Sequence, residues 1–540
     1  MREALVTGRN RFSYAELHAN SVKRAQALHA LGIRKGDHIG ILMGNTGAWV
    51  TLFFGAAMIG AVTVPVNTRF KASELAFCLK QADVKALFVE DGFMGIPFVS
   101  FLRAVEPAIG CTGSTGSTGS TDSADTGLPG VALPVLRHVV VLGDAVPQAA
   151  MGWKAFRRLA ETVDHQAFKD DCARVMPDDP LLMQFTSGTT AYPKGVLLTH
   201  HNMLRNAWSC GQRMGVRADD RYFNCRPFYH VAGTTLSLLV AVTFGATLVT
   251  QPAFEAGGAL KMLAGERCTL TSGNDTLFQL MMSHADFDPA KLHLRGGWSA
   301  AGPQTMRKII DVMGMKAVCI AYGLSEASPN VVFSFHDEPE EFRVNGRALP
   351  HEGVEVRIAH PETNETLSAN LQGEIQVRGW NVMKGYYKND EANAKVFTPD
   401  GWLRTGDLGV LGDDGRLSMV GRLKDVFRVG GENVAPAEVE EVLLAHAAVA
   451  TAQVIGVPDA RLGEVAAAYV TLKAGHHGKP GKPGTTEDEL IAWCKSRCAN
   501  FRVPRYLRIV ADFEAIGMTG SGKVQKVKLR EHAIRELGLG

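Results

Sequence analysis

The sequence has no long hydrophobic run and no concentration of charge of one sign, and each absence excludes a class of protein. No segment approaches the roughly 20 consecutive apolar residues of a membrane-spanning helix. The first residues, MREALVTGRNRFSYAEL, lack the apolar stretch of a secretory signal. Lysine and arginine are scattered, and the formal net charge is only +2, which gives no support to a nucleic-acid partner. We therefore expect a cytoplasmic protein with no integral membrane segment.

Cysteine pairs with metal-ligand spacing are also missing. The chain has nine cysteines and no C-x-x-C pair, which disfavours a zinc ribbon or a dithiol redox motif. Cys494 and Cys498 lie four residues apart in a helical pattern, so we expect buried thiols rather than a metal site. Cysteines expected to remain as free thiols fit a reducing compartment.

The length and the patterning of the chain predict an α/β fold with more than one domain. A chain of 540 residues exceeds the size that a single hydrophobic core reaches. Helical and strand patterns alternate in SYAELHANSVKRAQALHALG, DHIGILMGN, TLFFGAAMIGAVTVPVN and ASELAFCLKQADVKALFVE, which favours largely parallel sheets. After about Glu352 the pattern changes to short strand-like segments, EVRIA, GEIQVRG and GRLSMVGR, which predict a β-rich subdomain.

A domain boundary is predicted at GRLKD, residues 421–425, because a charged segment there separates two patterned regions. We expect a large N-terminal domain over residues 1–421, a hinge over 422–425, and a small, mobile α+β C-terminal domain over 426–540. Residues 110–130, GCTGSTGSTGSTDSADTGLPG, are poor in apolar side chains and predict a disordered surface insertion.

The segment QFTSGTTAYPKGV, residues 184–196, concentrates hydroxyls, glycines and one lysine. A loop of this composition presents N–H and O–H donors without bulk, so a polyphosphate is the expected ligand; the alternative is a Ser/Thr-rich turn. It is not a Walker loop, because its lysine precedes the last glycine and the strand-like VLLTH follows.

The order T-S-G-T-T-x-x-P-K-G resembles the phosphate-binding loop of the adenylate-forming superfamily, which contains acyl-CoA synthetases, peptide-synthetase adenylation domains and luciferases. Further motifs follow in the family's order, and the resemblance runs from about Phe12 to about Leu529. These motifs are AAGP (300–303), AYGLSEASP (321–329), GWLRTGDLG (401–409), GRLKDVFRVGGENVAPAEVE (421–440) and GMTGSGKVQK (517–526). Since five ordered motifs agree, the chain is identified as resembling the acyl-CoA synthetase branch.

The resemblance implies an AMP-forming acid–thiol ligase. A carboxylic acid and ATP give acyl-AMP and pyrophosphate, and coenzyme A then gives acyl-CoA and AMP. The implied requirements are ATP, Mg²⁺ and coenzyme A as co-substrate, and the implied partners are small molecules: the acid, ATP and CoA. The oligomeric state is open, with a homodimer as one option.

The resemblance also assigns nucleotide contacts to residues of this chain. The β- and γ-phosphates would lie against the loop, the adenine and ribose against the later motifs. The implied ATP/AMP-binding residues are Thr186, Ser187, Gly188, Thr189, Thr190, Lys194, Ala301, Gly302, Tyr322, Gly323, Ser325, Asp407, Arg422 and Lys523. The family usually has Gly where Ala191 stands.

Catalysis is implied for Thr186, Lys194, Glu326 and Lys523. Glu326 would be the carboxylate ligand of Mg²⁺, and the Lys523 ammonium would bridge carboxylate and α-phosphate oxygens in the transition state. The family normally has Pro at the position of Gly517.

The thiol step is implied to need a rotation of the small domain about Lys424. Gly430 and Gly431 would then line the path of the pantetheine arm. From the residues alone, the two glycines also fit a plain turn before the helix APAEVEEVLL, with Pro436 as its start signal.

The segment RPFYHVAGTT resembles the lining of the acyl pocket. Implied acyl contacts are His230, Val231, Gly233, Thr234 and Trp298, although His230 also fits a satisfied core histidine. Medium-chain fatty acids or related acids are the expected substrates. The family usually has a small apolar turn where Asn274 and Asp275 stand, and Trp298 would shorten the pocket, which leaves a short, aromatic or hydroxylated acid open.

Three alternatives remain at the level of the sequence. The pocket departures just described leave an aryl-acid CoA ligase as one alternative. A stand-alone adenylation enzyme would load an acyl carrier protein instead of CoA. A binding protein without catalysis would tolerate Ala191 and Gly517, but the retention of every charged residue in the motifs disfavours it.

Overall fold

The computed structural model describes residues 2–8, 10–109, 130–186, 193–473, 475–476, 484–518 and 524–539. The expected insertion at 110–130 therefore lies outside the described residues, apart from its last position. The same holds for four loop residues and the lysine of the last motif, which are Ser187, Gly188, Thr189, Thr190 and Lys523.

The strands are numbered in chain order. The first thirteen are β1 (Glu3–Thr7), β2 (Asn10–Ser13), β3 (His38–Leu42), β4 (Val62–Pro65), β5 (Val84–Glu90), β6 (His138–Leu142), β7 (Met151–Gly152), β8 (Pro180–Thr186), β9 (Lys194–Thr199), β10 (Arg221–Asn224), β11 (Thr247–Thr250), β12 (Leu270–Gly273) and β13 (Gly296–Ser299). The others are β14 (Ala317–Gly323), β15 (Asn330–Phe333), β16 (Arg347–Ala348), β17 (Val354–Ala359), β18 (Gln372–Gly379), β19 (Gly385–Tyr386), β20 (Leu403–Leu411), β21 (Leu417–Arg422), β22 (Phe427–Val429), β23 (Glu432–Val434), β24 (Val449–Asp459), β25 (Gly463–Leu472) and β26 (Tyr506–Ile509).

The helices follow the same convention. They are α1 (Tyr14–Ala30), α2 (Gly47–Met58), α3 (Ala72–Gln81), α4 (Phe98–Val105), α5 (Trp153–Arg158), α6 (His165–Ala173), α7 (His200–Arg213), α8 (Val231–Gly233), α9 (Val240–Phe244), α10 (Ala256–Gly265), α11 (Asp275–Met282), α12 (Pro303–Asp311), α13 (Glu340–Val344), α14 (Asp390–Val396), α15 (Pro436–Leu444), α16 (Glu487–Lys495) and α17 (Lys526–Glu536).

Within the described ranges these strands form four sheets. Two have eight strands each, in the orders β15-β14-β13-β12-β10-β11-β1-β2 and β19-β9-β8-β4-β3-β5-β6-β7. Both are parallel through their centres and antiparallel at an edge, where β1 pairs with β2, β14 with β15, and β9 with β8 and β19. Helices between successive strands provide the crossovers that parallel pairing needs.

The other two sheets are smaller. Strands β16-β21-β20-β18-β17 form an antiparallel sheet of five, and β23-β22-β25-β24 form another to which β26 adds in parallel. The chain passes from the first of these to the second through a 3₁₀ turn, Leu423–Asp425.

Local sequence signals explain where several elements begin. Ser13 caps α1 by accepting from the backbone N–H of Glu16, whose carboxylate returns to the N–H of Ser13. Pro436 is the first residue of α15, as its missing N–H allows. The helix and strand patterns of the sequence are confirmed in α1, β3, α2, β4, α3 and β5, and the later strand patterns in β17, β18 and β21.

Buried apolar side chains form separate clusters. One cluster joins the two eight-stranded sheets through residues such as Ile39, Trp49 and Leu248. Another cluster belongs to the last part of the chain alone, from Phe427 to Ala533. The fold class is confirmed: parallel α/β subdomains, a β-rich subdomain and a small α+β domain. The residue limits of the domains and the hinge stay a prediction. None of the helices in the described part of the chain is long and apolar enough to cross a membrane.

Candidate active site

Strands β8 and β9 bring both ends of the predicted phosphate loop together. Thr186, the last residue of β8, pairs with Lys194, the first residue of β9. The VLLTH prediction is confirmed, since β9 runs to Thr199 before α7 begins. The loop between them includes Ala191, which lies outside the described residues.

Tyr386 connects the loop lysine to the predicted metal-binding carboxylate. Its short strand β19 pairs with β9, with Tyr386 opposite Val196. The ammonium of Lys194 lies 4.9 Å from the centre of the Tyr386 ring, and the Tyr386 hydroxyl donates to Oε1 of Glu326 at 2.8 Å. Burial and the Glu326 charge raise the pKa of Tyr386, so its phenol remains a donor. Three distant segments of the chain therefore meet at one point.

The surroundings of Glu326 fit a magnesium ion that is held mainly by phosphates. In the described part of the chain, no group of three or more His, Cys, Asp or Glu side chains could hold a metal ion. Mg²⁺ commonly uses one or two carboxylates together with substrate phosphates and water. Glu326 lies in the 3₁₀ turn Ser325–Ala327, and its Oε2 accepts no hydrogen bond from a described residue, so one oxygen remains for a ligand.

Asp407 lies between Tyr322 and Arg422. The Tyr322 hydroxyl donates to Oδ2 of Asp407 at 2.8 Å, and Nε of Arg422 lies 3.5 Å from Oδ1. The pairing of β20 with β21 places Asp407 and Arg422 directly opposite each other. Burial, and then the charge of Asp407, hold the pKa of the Tyr322 phenol well above its ordinary value. Tyr322, Asp407 and Arg422 thus form one group, joined by a hydrogen bond and an ion pair.

The predicted adenine segment lies at the start of α12. Ala301 is buried, and Gly302 is the N-cap. The backbone N–H of Gly302 donates to Oδ2 of Asp275 at 3.4 Å. In the second adenine motif, a Cβ on Gly323 would stand 2.1 Å from the carbonyl oxygen of Pro329. Only glycine fits at that position without a shift of the backbone.

The acyl segment, residues 230–234, follows β10. His230 is exposed and caps α8, its Nδ1 accepting from the backbone N–H of Ala232. Val231 and Thr234 are buried. A Cβ on Gly233 would stand 2.3 Å from the carbonyl oxygen of Pro227, so the segment packs directly on the chain before it.

Trp298 is buried in β13, next to the adenine segment. Its exposed fraction is 3%, and its indole N–H donates to the Tyr222 hydroxyl at 2.9 Å. The guanidinium carbon of Arg226 lies 4.2 Å from the Trp298 ring centre. Trp298 is therefore held on two sides.

The residues expected to serve the thiol step lie in the last part of the chain. Gly430 and Gly431 form the two-residue turn between β22 and β23, with φ of +58° and +96°. Two such residues with positive φ match the strand twist in a tight hairpin. Lys424 lies in the turn between β21 and β22. Gly517 has φ +137°, which proline, fixed near −65°, cannot adopt.

The structure thus connects Lys194 to Glu326 through Tyr386, and brings Asp407 to Tyr322 and Arg422, while Lys523 and four loop residues lie outside the described ranges. Sequence reasoning missed Tyr386 and Arg226. The only signal for Tyr386 is a tyrosine pair after glycine in MKGYYKN, and no periodicity marks it. The burial of Cys494 is confirmed, and burial raises the pKa of its thiol to about 12, whereas Cys498 is only partly buried.

Comparison with known proteins finds two matching family models, similar sequences and similar solved structures. The family model described as AMP-binding enzyme matches residues 1–387, and that of the AMP-binding enzyme C-terminal domain matches residues 438–523. The putative acyl-CoA synthetase YngI of Bacillus subtilis (strain 168) is 38% identical over 98% of this chain and 93% of its own. The mitochondrial medium-chain acyl-CoA ligase ACSF2 of Rattus norvegicus is 35% identical over 100% of this chain and 86% of its own. The crystal structure of ATP-bound MatB from Rhodopseudomonas palustris superposes with a TM-score of 0.79, at 26% identity, over 98% of this chain and 96% of that one.

Proposed function

The chain belongs to the AMP-binding enzyme family and is an acid–thiol ligase of the acyl-CoA synthetase type, and from this premise we propose that it activates medium-chain fatty acids or related acids through an acyl-adenylate. The similarity to the medium-chain ligase ACSF2 supports this substrate range. The arrangement of Lys194, Tyr386 and Glu326 is the observation that carries the proposal, because it collects a cation, a donor and a carboxylate beside a hydroxyl-rich loop.

The first step joins the acid to AMP. A carboxylate oxygen of the acid attacks the α-phosphorus of ATP, the bond to the β-phosphate oxygen breaks, and pyrophosphate leaves. Thr186, Lys194 and the loop residues Ser187, Gly188, Thr189 and Thr190 bind the β- and γ-phosphates. Glu326 would hold Mg²⁺, which would supply charge neutralisation for the phosphates. Lys523 contacts the α-phosphate and the attacking carboxylate.

The nucleoside is bound by the second group of residues. Tyr322 stacks on the adenine beside Ala301, Gly302, Gly323 and Ser325. The Asp407 carboxylate accepts from the ribose hydroxyls, and Arg422 donates to ribose oxygens. The hydrogen bond between Tyr322 and Asp407 supports this assignment, because it fixes the base-binding and sugar-binding side chains relative to each other.

The second step transfers the acyl group to coenzyme A. The thiol sulfur attacks the acyl carbonyl carbon, AMP leaves, and the thiol proton goes to solvent. A rotation about Lys424, within the proposed hinge 422–425, brings Gly430 and Gly431 to the pantetheine path. Positioning supplies most of the rate, since the mixed anhydride is already activated.

Two assays on the full chain test the proposal. With Mg²⁺ and a panel of linear medium-chain acids, we expect acid-dependent exchange of pyrophosphate into ATP, and with free CoA we expect its stoichiometric consumption. Exchange without consumption of free CoA would point to a carrier-protein acceptor. A preference for benzoates over linear acids would replace the medium-chain assignment by an aryl-acid one. No exchange with any acid would overturn the adenylation step.

A further inference from the structure

Arg226 lies between the end of β10 and the acyl segment, and its backbone is fixed on both sides. Its carbonyl oxygen accepts from the side-chain amides of Asn45 and Asn224, each at 2.8 Å, and its N–H donates to Oδ1 of Asn224 at 3.1 Å. The same carbonyl oxygen lies 3.3 Å from the place where a Cβ on Gly233 would stand. The backbone of Arg226 is therefore held in place directly beside the residues proposed to bind the acid.

The side chain of Arg226 carries hydrogen-bond donors that the described part of the protein does not use. Nε and Nη2 are buried and have no hydrogen-bond partner there. The guanidinium carbon lies over the Trp298 ring, 4.2 Å from its centre, a cation–π contact that does not use the N–H donors. Buried donors without acceptors are rare in proteins, and each such group calls for an explanation.

The positive charge of Arg226 has no anionic counterpart among the described residues. The ionisable groups that act on it are Cys225 and Tyr222. Burial raises the pKa of Cys225 to about 11 and that of Tyr222 to about 12, so both are neutral at pH 7. Arg226 is partly buried, with its Nε and Nη2 out of contact with solvent. A guanidinium stays protonated in proteins, and a charge whose donors are desolvated without a partner destabilises the fold. A ligand carboxylate at this place would satisfy both the charge and the donors.

The position of Arg226 in the sheet favours a ligand over a purely structural role. Strands β10, β12 and β13 are parallel neighbours, so their carboxyl ends lie at one edge of the sheet. Arg226 follows the end of β10, and Trp298 lies near the end of β13. In open α/β sheets, ligands bind in the crevice beyond this edge. Trp298, expected from the sequence to limit the depth of the acyl pocket, is the residue on which Arg226 rests.

We propose that Arg226 binds a second carboxylate at the distal end of the acid, which makes linear dicarboxylic acids the preferred members of the substrate class. The inference rests on the proposed function and narrows it, since the carboxylate that reacts with ATP and the one bound by Arg226 are different groups. A guanidinium with two free donors suits bidentate recognition of a carboxylate.

Length-matched pairs of acids test the inference: hexanoate with adipate, octanoate with suberate, and decanoate with sebacate. For at least one pair we expect kcat/KM for CoA consumption to favour the dicarboxylate by roughly 10-fold or more, the scale of hydrogen bonds to charged groups. Arg226→Met should lower kcat/KM for that dicarboxylate by roughly 10²-fold and leave the monocarboxylate within the same order of magnitude. Arg226→Lys, which keeps the charge, should restore part of the preference.

Arg205→Met is the matched control. Arg205 is exposed and lies over Trp380 at 4.9 Å, so the variant removes an arginine–tryptophan contact away from the acyl segment. It should leave the ratio between the two acids unchanged. Equal use of both acids by the unmodified chain, or an equal loss with both in Arg226→Met, would overturn the inference and leave Arg226 as a support for Trp298. Absence of exchange with every acid in the unmodified chain would overturn the proposed function as well. The ratio in the unmodified chain decides the matter even where Arg226→Met does not fold.

Discussion

The chemistry proposed for single residues depends on how each side chain is held by its neighbours. Glu326 illustrates this, because its carboxylate accepts from the hydroxyl of Tyr386, and the ring of the same tyrosine lies against the ammonium of Lys194. Sequence motifs mark Lys194 and Glu326 as candidate site residues. They do not mark Tyr386, because its position depends on the pairing of β19 with β9, two segments far apart in the chain.

Removing the Tyr386 hydroxyl should impair the metal-dependent step. In Tyr386→Phe, Glu326 loses a donor at 2.8 Å, and we expect the rate of pyrophosphate exchange to fall roughly 10-fold, the scale of one hydrogen bond to a charged group. The Mg²⁺ concentration for half-maximal exchange should rise. Tyr387→Phe is the control, because the Tyr387 hydroxyl donates to Asp83 instead. Equal effects of the two substitutions on exchange would contradict the role given to Tyr386.

Lys523 is expected to act in the first step only. Lys523→Ala should slow adenylation by roughly 10²- to 10³-fold, the scale for the loss of one charge-stabilising donor. Thioester formation from supplied acyl-adenylate and CoA should survive. Single-turnover measurements of each half-reaction check this, with Lys495→Ala, on exposed α16 surface, as the control. Collapse of both half-reactions together would show that the assigned role is wrong.

At the scale of secondary-structure elements, the sequence predicts those helices and strands whose position depends only on residues close together in the chain. The helical patterns over α1, α2 and α3 are confirmed, and Pro436 marks the start of α15. The two-residue strand β19 could not be predicted, because it has no length over which alternation can appear and exists through its pairing with β9. The contact of Asp275 with Gly302 depends on how α11 and α12 pack, which no local pattern encodes.

The hairpin of β22 and β23 offers a test of the thiol path. Gly431 has φ +96° with open space where a Cβ would stand, so Gly431→Ala strains the backbone without a clash and should cost about 1 kcal/mol of stability. If pantetheine passes here, thioester formation should slow while pyrophosphate exchange is kept. Rapid-quench measurement of the two half-reactions distinguishes these effects.

Gly415→Ala provides the control for that hairpin. Gly415 has φ +72° in the turn between β20 and β21, with its nearest neighbour at 3.8 Å, so the substitution introduces similar strain elsewhere. We expect a comparable loss of stability and no selective loss of the thiol step. If both variants slowed thioester formation selectively, Gly431 would not be assigned to the pantetheine path.

At the scale of the whole molecule, the length of the chain predicts several cores, and separate clusters of buried side chains are present. The sequence does not predict how these clusters are arranged, because the cluster shared by the two large sheets is built from residues far apart in the chain. The sequence likewise does not predict the contact between the C-terminal domain and the N-terminal part of the chain. Glu441 on α15 stands 3.5 Å from the place of a Cβ on Gly302, close to Asp275.

This contact should depend on pH. Burial raises the pKa of Asp275, and burial followed by the charge of Asp275 raises the pKa of Glu441. A carboxyl whose pKa is raised in an arrangement favours that arrangement when protonated, so the contact is fully present at low pH and weakens as pH rises through the raised pKa values. Amide protection factors in α15 should therefore be higher at acid than at neutral pH. In the double variant Asp275→Asn, Glu441→Gln this dependence should disappear, whereas Glu531→Gln, on an exposed position of α17, should keep it. Protection that rises with pH, or that is unaffected by the double variant, would show that these two carboxyls do not control how the last domain lies against the nucleotide-binding residues.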